Sequence, residues 1–326
     1  MNPSAEIVNI FQEENNFLIL THSAPDGDAI GSSLALKFFL EKMNKKAEFF
    51  AEIPIPLQYR FLPGINSIKD IKEISLDNFN VLILIDCNKI ERVSKKKEIL
   101  EKIKHFSGKK IVIDHHIPDE KDNNGLIKWI EPKKAVTGIL IYDLIKYMNG
   151  VISEEVAFNL YTAIIVDTGN FQFDNTTDEV FQVATELVKA GAKPSYIYQQ
   201  CFNSWEENRL RLFIRMLNNL EILDSLAISY LSKSDFQDTN TTESATETFV
   251  EFLRVLKDIN LTVLLREIES DFIKVSLRSK GNIDVRVIAR EFGGGGHENA
   301  AGYRIKGSLK YAKDELIEKL KKYNLL

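Results

Sequence analysis

The sequence predicts an α/β fold, in which an N-terminal domain with a doubly wound, mainly parallel sheet is joined by a helical connector to a smaller α+β domain with a mixed sheet. Two observations indicate this fold. Short apolar runs alternate with amphipathic stretches over the first 193 residues, which is typical of βαβ units and a parallel sheet. After residue 223 the pattern changes to mixed strands and helices with a run of four glycines. We therefore expect domains at 1–193 and 224–326, with the connector at 194–223.

Apolar runs and helical spacing predict the elements of the first domain. Strands are predicted at 17–21, 79–86 and 110–114. Helices are predicted at 28–42, 135–148, 153–166 and 177–190. Gly191 and Pro194 end the last of these helices, because glycine suits a helix C-cap and proline cannot continue a helix.

The connector and the second domain follow a different pattern. The connector is a long, charge-studded stretch that we predict to be helical. Strands are predicted at 226–231, 261–266 and 271–278, with a helix at about 243–257 between the first two. A basic-polar loop and a second helix then lead into the glycine run, Gly293–Gly296.

Composition and charge indicate a soluble protein without a surface for long nucleic acid. The 326 residues are 44% hydrophobic and 27% charged, the balance of an ordinary folded chain. The first 16 residues lack a signal-peptide pattern, the apolar runs are far shorter than a membrane span, and the two cysteines have no disulfide or metal spacing, so a cytoplasmic location is expected. The net charge of −5 favours short nucleic-acid pieces that fit one local cleft.

Four sets of polar residues follow apolar runs. They are His22–Asp28, Asp86, Asp114–His116 and Asp167–Gly169. The carboxyl ends of neighbouring parallel strands open into one crevice, so acids at successive strand ends are expected to converge. Four of the carboxylates would then repel one another unless cations neutralised their charge, and two divalent ions would balance them. These four are Asp26, Asp28, Asp86 and Asp167.

The spacing of these residues indicates which ion each would face. Asp26 and Asp28 stand two apart across a glycine, so each can face a different ion. His22 is expected beside the first ion and His115 beside the second. Asp86 stands alone at its strand end and is the expected bridge. Mixed imidazole and carboxylate ligands favour a transition metal such as Mn²⁺, and two such ions suit in-line attack of an activated water on phosphorus.

A second motif lies in the C-terminal domain, at Phe292–Gly302, with Arg278–Ser279 before it. Consecutive glycines let a backbone approach a ligand closely and direct N–H groups at an anion. The motif is not a P-loop, since no Gly-Lys-Ser or Gly-Lys-Thr follows. Arg278 could pair with a phosphate, and His297 could stack on a base or sugar or form a hydrogen bond with it. A glycine-rich turn between a helix and a strand is the alternative interpretation.

These residues resemble a known family. The four strand-end motifs resemble those of the DHH phosphoesterase superfamily, and Gly293–Gly302 with Arg278–Ser279 resembles its DHHA1 substrate domain. The resemblance extends from about Ile19 to Tyr303. Within the superfamily the arrangement is similar to the stand-alone oligoribonucleases (nanoRNases) that also act as phosphatases on 3′-phosphoadenosine-5′-phosphate (PAP).

The resemblance implies two sets of ligands, one for each of two Mn²⁺ ions. The first set is His22, Asp26 and Asp86. The second set is Asp28, Asp86, His115 and Asp167. Asp114 would orient the neighbouring histidines. The family is usually dimeric, so a homodimer is expected.

The resemblance also implies substrate contacts. His116 would contact the scissile phosphate, and Arg92 would bind the substrate from the side of the first domain. A group in the second domain would bind it from the other side. This group consists of Arg278, Ser279, Gly294, Gly295, Gly296 and His297. The chain departs from the family pattern at Ala163, where glycine is common, and at Ala135–Thr137, which varies a serine-rich stretch; neither departure is expected to touch a metal ligand.

The activity implied by the resemblance is hydrolysis of short oligoribonucleotides or linear dinucleotides to mononucleotides, and of PAP. A cyclic-di-AMP phosphodiesterase shares the whole layout and is the main alternative. Family II pyrophosphatases lack the glycine motif, RecJ-like exonucleases carry DNA-binding parts for which this chain has no room, and membrane-bound phosphodiesterases add further segments. A nucleotide- or RNA-binding protein without turnover is disfavoured, because every proposed metal ligand is present.

Overall fold

The apolar runs of the N-terminal half form strands of one parallel sheet. The computed structural model describes residues 3–117, 125–269, 271–323 and 325. Within these residues the first of two units, Met1–Ser204, has six strands and seven helices. The strands are β1 Asn16–Leu20, β2 Lys46–Ala51, β3 Lys69–Asp70, β4 Val81–Ile85, β5 Lys109–Asp114 and β6 Ile127–Ile130. The helices are α1 Ala5–Glu13, α2 Gly27–Lys42, α3 Lys97–Lys104, α4 Thr137–Tyr147, α5 Glu154–Asp167, α6 Asp178–Lys189 and α7 Pro194–Phe202.

The strand order of this sheet creates a crevice. The order is β3-β2-β1-β4-β5-β6, and every neighbouring pair is parallel. The direction of winding reverses between β1 and β4, and ligands bind at such a switch point, outside the carboxyl ends of the strands. Residues of α2, α4 and α5 pack on one face of the sheet and residues of α3 on the other. The predicted doubly wound parallel sheet is confirmed.

The central strands of this sheet were predictable, and the outer strands were not. The predicted strands are confirmed as β1, β4 and β5, and the predicted helices as α2, α4, α5 and α6, with ends within two residues. Central strands are buried on both faces and therefore appear as continuous apolar runs. The strands β2, β3 and β6 are additional; polar residues such as Glu48 and Lys128 interrupt their apolar pattern.

The second unit, Trp205–Leu326, contains a mixed sheet. Its strands are β7 Glu221–Leu223, β8 Leu226–Leu231, β9 Leu261–Glu269, β10 Phe272–Ser279, β11 Gly295–His297 and β12 Ala300–Lys306. Its helices are α8 Glu207–Asn218, α9 Lys233–Asp238, α10 Phe249–Phe252, α11 Val285–Glu291 and α12 Leu309–Lys322. The order is β11-β12-β10-β9-β8-β7, in which only β8 and β9 are parallel. Residues of α11 and α12 cover one face, and residues of α8 and α10 the other. The predicted mixed sheet is confirmed.

Two predicted helical segments are wrong in detail. The stretch 194–223, predicted to be helical throughout, consists of α7, a break at 203–206, α8 and then β7. The boundary between the units falls in this break, where Trp205 packs against Phe213 and Phe249 at ring-centroid distances of 5.3 and 5.5 Å. The stretch 243–257 holds only α10 between short 3-10 turns, because Thr248 has a left-handed backbone (φ 67°) that interrupts a helix. None of the described helices is long and apolar enough to cross a bilayer.

Candidate metal centre

The polar residues that follow β1, β4 and β5 meet at the carboxyl ends of these strands, together with the end of α5. Three groups of side chains each place their ligand atoms within 4.8 Å of one another. The groups are Asp86, Asp114, His115 and His116; His22, Asp26 and Asp86; and Asp28, His115 and Asp167. They contain all six residues predicted as metal ligands. Asp86 and His115 each belong to two groups, so the three groups form one continuous cluster.

Asp86 lies between two histidines and turns one carboxylate oxygen toward each. Its Oδ2 is 3.6 Å from Nε2 of His22, and its Oδ1 is 3.6 Å from Nε2 of His115. The residue is 1% exposed, and its backbone is left-handed, with φ 55°. This conformation is uncommon outside glycine, asparagine and aspartate, and such backbones cluster at functional sites. A buried carboxylate with this geometry can be shared between two cations.

Backbone carbonyls orient the two histidine rings. Nδ1 of His22 lies 3.0 Å from the Ser23 carbonyl oxygen, and Nδ1 of His115 lies 3.3 Å from the Lys134 carbonyl oxygen. A carbonyl oxygen only accepts, so Nδ1 of each neutral ring carries the proton and Nε2 presents its lone pair to the carboxylates. Nε2 of His115 also lies 3.6 Å from Oδ2 of Asp167. This tautomer is the one that a metal-ligating Nε2 requires.

The amino ends of two helices hold Asp28 in place. Asp26 is the N-cap of α2, where its Oδ1 accepts a 3.0 Å hydrogen bond from the Ala29 N–H, and Asp28 follows in the first turn. The Asp28 carboxylate accepts hydrogen bonds of 2.8 and 3.0 Å from the N–H groups of Thr137 and Gly138, the first residues of α4. Helix N-termini favour negative charge, so Asp28 also caps α4, whose own N-cap residue supplies no side-chain bond.

Thr137 contacts two of the proposed ligands, so the expectation that the Ala135–Thr137 stretch touches none is wrong. Its Oγ1 donates a 2.9 Å hydrogen bond to Oδ1 of Asp86, in addition to the backbone bond to Asp28. The sequence signal at this threonine is its place in the stretch that varies the family's serine-rich pattern. Ser32 was also missed, although its position four residues after Asp28 on α2 could have indicated the 2.7 Å bond from its Oγ to that carboxylate.

Asp114 is tied to His116. Its Oδ1 accepts a 2.9 Å hydrogen bond from the His116 N–H and lies 2.7 Å from Nδ1 of the same residue. Nδ1 of His116 is also 3.4 Å from Oδ1 of Asp86. The described hydrogen bonds therefore assign Asp114 to His116, whereas the Lys134 carbonyl orients His115.

The packed charges shift the pKa values of the cluster in opposite directions. Burial, followed by the charges of Asp86 and Asp167, raises the pKa of Asp28 well above its usual value. Burial alone would raise the pKa of Asp86 as well, but contacts with His116 and His22 lower it. Burial disfavours the charged form of His116, but hydrogen bonds to Asp114 and Asp86 raise its pKa to about 11. The cluster therefore needs protons or other cations to balance its carboxylates.

Arg92 lies beside the loop that carries the first motif. It ends a 3-10 turn, Ile90–Arg92, and its carbonyl accepts a 2.7 Å hydrogen bond from the N–H of Ser23. The side chain is half-buried. The backbone of Arg92, a predicted substrate contact, therefore lies beside Ser23, the residue that follows His22.

In the second unit, Arg278 and His297 share one face of the sheet. Both stand directly opposite Ala300, Arg278 on β10 and His297 on β11. Directly opposed residues in antiparallel strands project to the same side, so the two side chains are two strand spacings apart, about 10 Å. The adjacent row on this face is Ser276, Gly302 and Gly295, and the Ser276 hydroxyl accepts a hydrogen bond from the Arg266 guanidinium. The Arg278 guanidinium is 2.7 Å from Glu251.

Two of the predicted glycines are required by close backbone contacts. A Cβ on Gly294 would lie 2.2 Å from the Gly302 carbonyl oxygen, and one on Gly296 would lie 2.4 Å from that of Ala300. Gly295 has open space around it. Ser279 is fully buried, and its hydroxyl donates a 2.6 Å bond to the Ile283 carbonyl. This bond supports the loop before α11 and does not present the hydroxyl to a ligand.

Comparison with known proteins agrees with this architecture. The DHH family, N-terminal domain, matches residues 16–179, and the DHHA1 domain matches residues 223–324. A bifunctional oligoribonuclease and PAP phosphatase of Thermus thermophilus is 33% identical over 309 residues, which are 94% of this chain and 89% of that protein. The cyclic-di-AMP phosphodiesterase PdeA of Listeria monocytogenes is 27% identical over 336 residues, which are 98% of this chain and 49% of PdeA.

A solved structure shows the same fold. The crystal structure of an exopolyphosphatase-related protein from Bacteroides fragilis superimposes with a TM-score of 0.90 at 29% identity and covers 98% of this chain and 96% of that one. The matching domains, the relative at 33% identity and this structure extend over almost the whole sequence. The chain therefore belongs to the DHH family.

Proposed function

We propose that this protein is a metal-dependent phosphoesterase that hydrolyses short oligoribonucleotides and linear dinucleotides to mononucleotides, and that it removes the 3′-phosphate of PAP. The observation that carries the proposal is the position of Asp86, with one carboxylate oxygen 3.6 Å from each of two histidines inside a cluster of acids. The similarity to the oligoribonuclease and PAP phosphatase of Thermus thermophilus supports this class of substrate.

The donor atoms fit two divalent ions, which we propose to be Mn²⁺. The first would be held by His22, Asp26 and Asp86. The second would be held by Asp28, Asp86, His115 and Asp167. Oδ2 of Asp114 is buried and has no hydrogen-bond partner among the described residues, which fits a further positive charge close by. When bound, such ions supply Lewis-acid charge and acidify a water for attack on phosphorus.

The chain's own residues orient the substrate in this proposal. In the metal-free chain, Asp114 and Asp86 raise the pKa of His116 and so favour its cationic form. Its Nδ1 is bonded to Asp114, so Nε2–H would donate the hydrogen bond to an oxygen of the scissile phosphate. Arg92 supplies a second positive charge near the first motif. In the second unit, the sheet face that carries Arg278 and His297 would take a nucleotide, with its phosphate at the guanidinium and its base on the imidazole ring.

The shared role of Asp86 is tested by replacing it with asparagine. Asparagine keeps the size of the side chain and tolerates the left-handed backbone at this position, but it is a far weaker ligand than a carboxylate. We expect the wild-type chain to bind two Mn²⁺ by elemental analysis and to hydrolyse a chromogenic phosphodiester. Asp86→Asn should lose at least one ion and more than about 100-fold in rate, since even residues outside the ligand sphere cost 10–100-fold.

Asp174→Asn is the matched control, because Asp174 is an exposed aspartate of the same unit. It should keep both ions and the rate. Two ions and full activity in Asp86→Asn would contradict the proposed centre.

A second candidate function is hydrolysis of cyclic-di-AMP. The observation in its favour is the 27% identity to PdeA, which extends over 98% of this chain. Cyclic and linear dinucleotides present the same phosphodiester to the proposed site, so the two functions differ in substrate shape and not in the residues that hold the ions.

A further inference from the structure

Residues 134–138, the segment that leads into α4, contact three of the proposed ligands directly. The Lys134 carbonyl accepts from Nδ1 of His115 at 3.3 Å. The N–H groups of Thr137 and Gly138 donate to Asp28, and the Thr137 hydroxyl donates to Asp86. Three residues of this five-residue segment thus orient ligands that come from α2, from the end of β4 and from the end of β5.

The same segment is tied to the fourth proposed ligand of the second ion. The side-chain nitrogen of Asn175 donates to the carbonyl of Ala135 at 3.2 Å and to that of Asp167 at 3.1 Å. The start of α4 and the end of α5 are therefore joined through the side-chain amide of Asn175. Every proposed ligand of the second ion is in this way linked to residues 134–138.

An ion-pair clamp fixes the start of the segment. The Lys134 ammonium lies 2.7 Å from Oδ2 of Asp143 on α4, and it also bonds to Glu179 in the first turn of α6. The Lys134 side chain is 13% exposed. Because two helices hold this lysine by charge, the carbonyl that orients His115 has a defined position.

The Thr137 hydroxyl acts on one side of the cluster. It donates to Oδ1 of Asp86, the oxygen that faces His115, and not to Oδ2, which faces His22. The hydroxyl is fully buried, so no water replaces this bond when it is removed. Loss of the bond should therefore affect the His115 side more than the His22 side.

We propose that the 134–138 segment is a positioning element for the second ion, and that Thr137 determines how tightly this ion binds. The proposal rests on the two-metal function proposed above. Thr137 is a positioning residue in this account, since it acts through Asp86 and Asp28 and touches neither substrate nor ion.

The test is calorimetric titration of the metal-stripped full chain with Mn²⁺. Thr137→Val removes the hydroxyl without changing the shape of the side chain, and Thr137→Ser keeps the hydroxyl. We expect Thr137→Val to weaken one of two ions by roughly 10–100-fold, the usual effect of a residue that orients a ligand, and to leave the other unchanged. Thr137→Ser should restore wild-type binding. In a His22→Ala background, which impairs the first set, the remaining ion should be the one that Thr137→Val weakens.

Equal weakening of both ions, or no change in either, would overturn the proposal while leaving the two-metal function intact. A wild-type chain that binds no divalent ion would instead overturn the proposed function itself. If Thr137→Val fails to fold, Lys134→Met gives a second route, because it breaks the clamp outside the cluster and should weaken the same ion, with Lys134→Arg restoring it. Lys37→Met is the matched control: it removes a lysine of similar exposure that pairs with Glu41 at 2.6 Å, and it should leave both ions unchanged.

Discussion

At the scale of single residues, Asp167 occupies a position that is unfavourable for a carboxylate without a cation nearby. It is the last residue of α5, where the helix dipole presents partial negative charge. Burial and the charges of Asp26 and Asp86 raise its pKa well above the usual value, although 30% of its side chain is exposed. No described hydrogen bond to its side chain offsets this. The protein therefore holds a carboxylate whose charge costs stability in the metal-free state.

A pH dependence follows for Asp167→Asn in the metal-free protein. Because the folded-state pKa is raised, the folded chain binds this proton more tightly than the unfolded chain, and stability is lost as pH rises above the unfolded value of about 3.9. The asparagine variant has no such loss. In EDTA, its Tm should exceed the wild-type Tm by about 2–4 °C at pH 8, the shift that about 1 kcal/mol produces in a domain of 150–250 residues, and by less at pH 5.

Adding Mn²⁺ should reverse this order, because the ion stabilises the wild type through a ligand that the variant lacks. Thermal unfolding followed by circular dichroism checks both conditions. A variant that is less stable than the wild type at pH 8 in EDTA would contradict the account of Asp167.

Single residues also show where sequence reasoning stops. The six proposed ligands could be predicted because acids and histidines at strand ends have few other reasons to recur. Thr137 could not be assigned in this way, since its hydroxyl resembles that of any other helix threonine in the sequence. The spacing of four residues from Asp28 could have indicated Ser32. Ser279 shows the converse: a motif position was predicted to bind substrate, but its hydroxyl bonds to a carbonyl inside the unit.

At the scale of elements, the close packing of α2 and α5 brings Asp28 and Asp167 together. Gly31 lies at this contact, where a Cβ would meet the carbonyl oxygen of Asn159 at 2.4 Å. Glycine in the middle of a helix costs up to about 1 kcal/mol relative to alanine. Its presence in α2 is therefore explained by the space that α5 requires and not by helix propensity.

Gly31→Ala should destabilise the protein in spite of its better helix propensity. Overpacking of this kind typically costs 1–3 kcal/mol, so we expect a net loss of about 1 kcal/mol in the free energy of unfolding. Displacement of α2 from α5 should also weaken Mn²⁺ binding. Urea denaturation of the metal-free chain measures the first effect. Glu41→Ala, at an exposed position of the same helix, is the control and should change stability by less than about 0.5 kcal/mol.

An increase in stability in Gly31→Ala would show that α5 can move away without loss. The importance of the α2–α5 contact for the cluster would then be refuted.

Elements differ in how far the sequence predicts them. The strands that carry the site, β1, β4 and β5, are buried on both faces and were predictable from their apolar runs. The helix predicted at 243–257 is interrupted by the left-handed backbone of Thr248. This backbone conformation has no signature in the sequence, so the interruption could not be predicted. The break at 203–206 depends on Trp205, whose ring packs within the second unit. The break therefore reflects tertiary packing that overrides local helix preference.

At the scale of the whole molecule, net charge bears on the choice of substrate. A net charge of −5 gives no excess of cations to neutralise the phosphates of a long strand. The net charge therefore favours short substrates over long strands in the proposed function.

The most direct test of this central proposal is Mn²⁺-dependent hydrolysis of linear pApA beside cyclic-di-AMP, at equal concentration and with the products separated by chromatography. We predict rapid conversion of pApA to AMP, no opening of the cyclic compound, and loss of activity when EDTA removes the ions. Preferential opening of cyclic-di-AMP, with pApA left to accumulate, would contradict the account and assign the same centre to a cyclic dinucleotide.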